Sequence, residues 1–121
     1  MFLGMDCVVP HYGTIVVNGS VRAGNYCLLH TSTCIGGAGK KVGDALYLAS
    51  VAKIMGTLTL GSRVSIVANS LVNKSFGEHV LLTGIPAIDK RQDYPNWHER
   101  DGDVFIKRVQ LCEQLRRKMN L

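Results

Sequence analysis

Val42-Gly43-Asp44-Ala45-Leu46-Tyr47-Leu48-Ala49-Ser50-Val51-Ala52-Lys53-Ile54 sets a beat that Leu60, Ile66 and Val72 continue, with an aliphatic residue at every sixth position. Small or apolar residues follow four places behind, at Leu46, Ala52, Leu58, Val64 and Ser70, and Gly43 and Gly61 come directly after two of the aliphatics. A helix repeats at about 3.6 residues and a half-buried strand at 2, so neither accounts for a strict six. A hexapeptide repeat does. Each six residues form one short side of a triangular parallel β-helix whose aliphatic points into the prism, and three sides close a coil of about 18 residues. The expected fold class is all-β.

The same beat extends towards the N-terminus through Val17, Ala23, Leu29 and Ile35, with Val21, Cys27 and Thr33 four behind. The step from Ile35 to Val42 is one residue too long, which predicts a small outward loop at Gly36-Gly37-Ala38-Gly39-Lys40-Lys41. Leu3, Val9 and Ile15 keep time around an irregular corner, Pro10-His11-Tyr12-Gly13-Thr14, rich in turn formers. Val80 and Leu82 resume the pattern loosely, and Gly84-Ile85-Pro86-Ala87 reads as a turn that ends it. Residues 1–88 are therefore expected to form the solenoid. Residues 89–121 are expected to form a polar loop to Asp103 and then an amphipathic helix over 104–120. Asp103 suits an N-cap, and Phe105, Val109, Cys112, Leu115 and Met119 make an apolar stripe suited to the solenoid or a sister subunit.

At 121 residues the chain is one domain of four to five coils. So short a solenoid has open ends and long exposed sides, which predicts an oligomer, or a fragment of a longer chain. The formal charge of +5 is concentrated in the tail after residue 89 and lacks aromatic interleaving, so no nucleic-acid partner is expected. No apolar run approaches the ~20 residues that span a membrane, and the four cysteines (7, 27, 34, 112) show no paired spacing. A reduced, cytoplasmic protein is expected.

Two histidines invite chemistry. His11 lies in the irregular corner, where a side chain can leave the prism and act as a general base near neutral pH. His30 follows 19 residues later and should lie one coil along, forming an acid/base pair or the start of a metal site. A zinc site needs a third ligand, which would fall near Ala49, so no metal is expected. The Gly36–Lys41 loop offers backbone amides and two ammonium groups to a phosphate-bearing ligand, although its spacing matches no standard phosphate loop.

Taken in order, His11-Tyr12-Gly13-Thr14-Ile15-Val16-Val17-Asn18-Gly19, Ile35-Gly36-Gly37-Ala38-Gly39-Lys40, Val42-Gly43-Asp44, Ala52-Lys53-Ile54-Met55-Gly56, Ala68-Asn69-Ser70 and Gly84-Ile85-Pro86-Ala87 resemble the serine acetyltransferase family. The likeness is strongest to the branch found in bacterial surface-polysaccharide clusters. It implies a left-handed β-helix homotrimer that binds acetyl-CoA along its seams and acetylates the hydroxyl of serine or a sugar. His11 matches the family's catalytic histidine. Gly36, Gly37, Gly39 and Lys40 match its Gly-Gly-Thr-Gly-Lys segment beside the CoA arm, with Lys41 adding charge. Ala52 and Gly56 match small residues that leave room for pantetheine, and Gly84, Pro86 and Ala87 match the turn near adenine. Departures are equally plain. Pro10 stands where the family places aspartate, the Arg-His-Pro segment after the glycine loop is missing, and Ile88 replaces a basic residue. A trimer that binds CoA without turnover is the competing reading.

Overall fold

The structure, a computed structural model, describes residues 13–37, 39–92 and 103–119, together with 7, 9, 10 and 94. Among the described residues, twelve short strands precede one helix. They are β1 (Ile15–Val17), β2 (Arg22–Ala23), β3 (Leu28–Leu29), β4 (Thr33–Gly36), β5 (Lys40–Val42), β6 (Tyr47–Leu48), β7 (Lys53–Met55), β8 (Leu58–Leu60), β9 (Ser65–Ile66), β10 (Leu71–Val72), β11 (Val80–Gly84) and β12 (Ala87–Gln92), followed by α1 (Asp103–Lys118). Every third strand stacks on the same face, giving sheets β1-β4-β7-β10, β2-β5-β8 and β3-β6-β9-β11-β12. All pairings are parallel except β11 with β12. This is the expected hexapeptide-repeat β-helix.

The register records each irregularity. Partners such as Val17↔Ile35, Val42↔Leu60 and Ile54↔Val72 lie one regular coil apart. Pairs that straddle the Gly36–Lys40 corner, such as Ala23↔Val42 and Ile35↔Ile54, are one residue longer. Past β10 the coil shortens by two, as Ile66↔Leu82 shows. Insertions are thus absorbed at corners, which leaves the stack of aliphatics intact. Leu29, Ile35, Leu48, Ile54, Leu60, Ile66, Val72 and Leu82 are all buried in one continuous core.

Two of the three corners turn through left-handed residues that are not glycine. Tyr26, Ala45, Arg63 and His79 form one column of positive φ, and Ser32, Val51 and Asn69 form the other. The amides of Ser32, Ala45, Val51, Arg63, Asn69 and His79 link to the coil before, as in Val51 N to Thr31 O (3.1 Å) and Asn69 N to Ser50 O (3.1 Å). Asparagine tolerates this conformation, but a β-branched residue pays roughly 1–2 kcal/mol for it. Val51, at φ 66° and partly exposed, is the strained member. Val51→Asn should therefore raise stability by about 1 kcal/mol in a denaturant melt. A loss instead would mean that the valine side chain gains more in contacts than its backbone costs.

The tail departs from expectation at its start. Asp89 to Gln92 belong to β12, not to a loop, because the turn at Ile85-Pro86 folds the chain back on β11 from Gly84↔Ala87 to Val80↔Gln92. The strand is carried by backbone pairing, and residues 88–92 are all exposed and polar from Asp89 on, so no apolar alternation announces it. The helix begins at Asp103 itself and ends at Lys118. It docks on the first full coil, where buried Asn25 donates from Nδ2 to Glu113 Oε1 (2.6 Å). Leu115 and Met119 of the expected stripe, with Leu111, are exposed, so those three residues do not pack on this chain's solenoid. The Phe105, Val109 and Cys112 side chains lie outside the described ones.

Candidate active site

At the glycine corner between β4 and β5, Gly37 and Gly39 pack on the following coil, while Ala38 lies outside the described residues. Gly37 and Gly39 both take left-handed φ (78° and 75°), and each lies on the next coil. A Cβ on Gly37 would stand 3.2 Å from Gly56 N, and one on Gly39 would stand 2.9 Å from Thr57 Cγ2. Gly39 N also donates to Ser20 Oγ on the preceding coil (3.1 Å). Positive φ and close approach together require glycine at both positions. Gly36 faces Met55, and Gly56 is exposed at φ 89° beside Gly37. Gly36, Gly37, Gly39 and Gly56 are therefore neighbours in space.

Lys40 does something different from the charge donor expected of it. Its side chain is 1% exposed and lies inside the prism, in register with Leu58 of the following coil. The ammonium donates to the carbonyls of Gly36 and Gly37 (2.9 Å to the latter). It cannot reach an external phosphate from there. Lys41, its neighbour, faces outward beside Arg22 and remains free to supply charge. The six-residue beat could have flagged this. Lys40 stands two places before Val42, the inner slot that Val21, Cys27, Leu46, Ala52, Leu58 and Val64 fill elsewhere.

Burial holds the Lys40 amine below the ordinary 10.5. The sign of the linkage follows. Between that lowered pKa and 10.5 the unfolded chain still binds the proton that the folded chain has released, so stability rises with pH in that window. Urea midpoints compared across alkaline pH should therefore climb for wild type relative to Lys40→Met. Parallel profiles would contradict the buried ammonium.

Ala52 and Ala87 also lie inward, at 0% and 1% exposure, as members of the core. Their methyl groups fill the prism, so what Ala52 and Ala87 present outward is backbone. Gly84 and Pro86 are exposed, and Gly84 N donates to Ser70 Oγ (3.2 Å). That contact sets the turn at the entry to β10. The Gly36–Lys40 corner lies at the exit from β4, so the two flank opposite edges of the β1-β4-β7-β10 face.

His11 and Tyr12 lie outside the described residues. His30 is half-buried at the corner leading into β4, its ring set edge-on to Tyr47 of the next coil (5.3 Å between centroids). Its carbonyl accepts from Thr33 Oγ1 (2.8 Å), which fixes the corner's backbone. Register Leu29↔Leu48 places Ala49 next along from His30, as the coil length predicts. Gly13 packs so tightly on Thr31 that any Cβ there would overlap the threonine hydroxyl, and Ser32 N donates to Thr14 O (2.8 Å). Cys7 and Cys27 are poor nucleophile candidates. Burial pushes Cys27 up to about 12 and raises Cys7 as well, away from the thiolate that reacts. Among the described residues no three His, Cys, Asp or Glu side chains gather as a metal site, and no helix is long and apolar enough to cross a membrane.

This stacked prism with its glycine corner defines a hexapeptide-repeat β-helix. No family model matches the chain. It is 29% identical over 98 residues to serine acetyltransferase from Staphylococcus xylosus, an alignment covering 75% of this chain and 45% of that protein. It superposes with TM-score 0.64 and 28% identity on a serine acetyltransferase solved in complex with CoA, covering 68% of this chain and 35% of that one. The Neisseria gonorrhoeae serine acetyltransferase in complex with serine shares the fold (TM-score 0.64, 24% identity, 69% and 36% covered). Within that fold class the chain is similar to serine acetyltransferases. It spans less than half the length of the curated relatives it matches.

Proposed function

We propose that this chain is an acetyl-CoA-dependent O-acetyltransferase that works as a homotrimer and transfers the acetyl group to the hydroxyl of serine or a sugar. The observation that carries the reading is the glycine corner. Gly37, Gly39 and Gly56 are exposed on the outside of the prism and carry no side chains, which suits the narrow pantetheine arm, and the likeness is to a protein solved with CoA. Lys41 and Arg22, in register and exposed, face solvent beside that corner and suit the cofactor's phosphates.

His11 is assigned the general base. It takes the acceptor proton as the alkoxide attacks the thioester carbonyl, and the CoA thiolate leaves. Gly13, two residues along the chain, packs on Thr31 beside His30, which supports a shared His11–His30 corner. That corner and the glycine corner edge the same face from opposite sides, so a cleft that uses both is best completed by packing one prism against the next. Exposed Val16, Val51, Met55 and Val67 on or beside that face favour such packing.

Calorimetry tests the cofactor. Acetyl-CoA should bind with an affinity that falls as salt rises, because exposed phosphate–ammonium attraction is screened within about 10 Å at 0.1 M ionic strength. Light scattering of the same sample should read a trimer. Absence of binding at millimolar acetyl-CoA would remove the acyltransferase reading, and a stable monomer would remove the seam.

A further inference from the structure

Lys40 is the one charged side chain that the described fold encloses completely, and the proposed chemistry gives it no role. An apolar residue would fill its slot at lower cost, as Leu58 does one coil on, because a buried ammonium must be repaid by hydrogen bonds. The payment here is specific. Both acceptors are consecutive carbonyls of the glycine corner, Gly36 and Gly37.

The geometry has a consequence on the other side of the backbone. In a trans peptide the C=O and N–H point in opposite directions. Drawing the Gly36 carbonyl inward to Lys40 therefore turns the N–H of the same peptide, which belongs to Gly37, away from the prism. Gly37 is exposed there, and no Cβ obstructs approach. Its φ of 78° defines the conformation that Lys40 holds, and a Cβ added there would stand 3.2 Å from Gly56 N and from Lys40 Nζ. We infer that Lys40 is a positioning residue whose ammonium, by holding the Gly36 and Gly37 carbonyls, aims the Gly37 N–H outward as a hydrogen-bond donor to a carbonyl oxygen of the pantetheine arm. The inference rests on the proposal that CoA is the cofactor.

Competition binding with fragments of CoA separates this role from a direct phosphate contact. Lys40→Met keeps the slot filled with a chain of similar length. It should weaken CoA, dephospho-CoA and acetyl-pantetheine alike, by about tenfold, the loss of one well-placed hydrogen bond. Adenosine 3′,5′-bisphosphate should bind the variant as it binds wild type, and the salt dependence of CoA affinity should not change. Lys41→Met should behave in the opposite way, losing phosphate-bearing ligands and flattening the salt dependence. Undiminished CoA affinity in Lys40→Met, or a loss confined to phosphate-bearing ligands, would overturn the inference.

Two further readouts keep the outcomes apart. Should wild type bind none of these ligands, the cofactor proposal fails. Carbonyl carbon shifts of Gly36 and Gly37 then test the strut alone, since they must move in Lys40→Met, and unchanged shifts overturn it. Should Lys40→Met not fold, Lys40→Leu, which copies Leu58, takes its place in every arm.

Discussion

His11→Ala should lower turnover about 10²–10⁴-fold while leaving the trimer and the affinity for acetyl-CoA as they are, the usual contribution of a positioned general base. His11 stands off the six-residue beat, so its removal opens no core cavity. A thiol-release assay with serine and several sugars as acceptors supplies the measurement. The wild-type rate should also rise with pH through an imidazole pKa near 6.5, and the variant should lose that rise. Equal rates for the two proteins would sink the mechanism. A wild type that turns over no acceptor, yet binds CoA, would establish the non-catalytic reading instead. Pro10 replaces the aspartate of the resembled family beside this histidine, so a slow wild-type rate is expected.

Gly61→Ala should be the most damaging single-methyl change in the solenoid. The added Cβ would stand 2.6 Å from Glu78 N and 2.8 Å from Gly77 C, both backbone atoms of the next coil. Backbone held in a ladder cannot swing aside as a side chain can, so the coils must part. Overpacking of this kind costs roughly 1–3 kcal/mol, and more where relaxation is blocked. Gly43 meets Ser62 N and Gly61 C at 2.7 and 2.8 Å and should respond in the same way. Gly77, with nothing within 4 Å, is the control, and Gly77→Ala should melt within about 0.5 kcal/mol of wild type. Thermal melts of the three variants decide the matter. A Gly61→Ala protein as stable as Gly77→Ala would mean that the coils are looser than their backbone spacing.

Most of the architecture was legible in the sequence, because in this fold the core is a one-dimensional repeat. Each aliphatic from Val42 to Val72 is buried by the residue one coil before and after it, so period alone predicts the stack. Coil length likewise predicted that Ala49 would follow His30, and the seven-residue step located the irregular corner. Gly43 and Gly61 were visible as a pattern, though not as a steric necessity. Three things needed the tertiary structure. The strand Ala87–Gln92 is made by antiparallel backbone pairing, which leaves no mark on a run of exposed polar residues. The helix finds its place through Asn25 and Glu113, which are 88 residues apart in sequence and share no local pattern. Lys40 reads from sequence as a surface charge beside a phosphate loop. The beat puts its stem in a core slot, but only the fold shows that its ammonium meets two carbonyls. Periodicity reports which way a side chain faces, whereas the choice of a polar partner is settled by whatever the closed prism brings within reach.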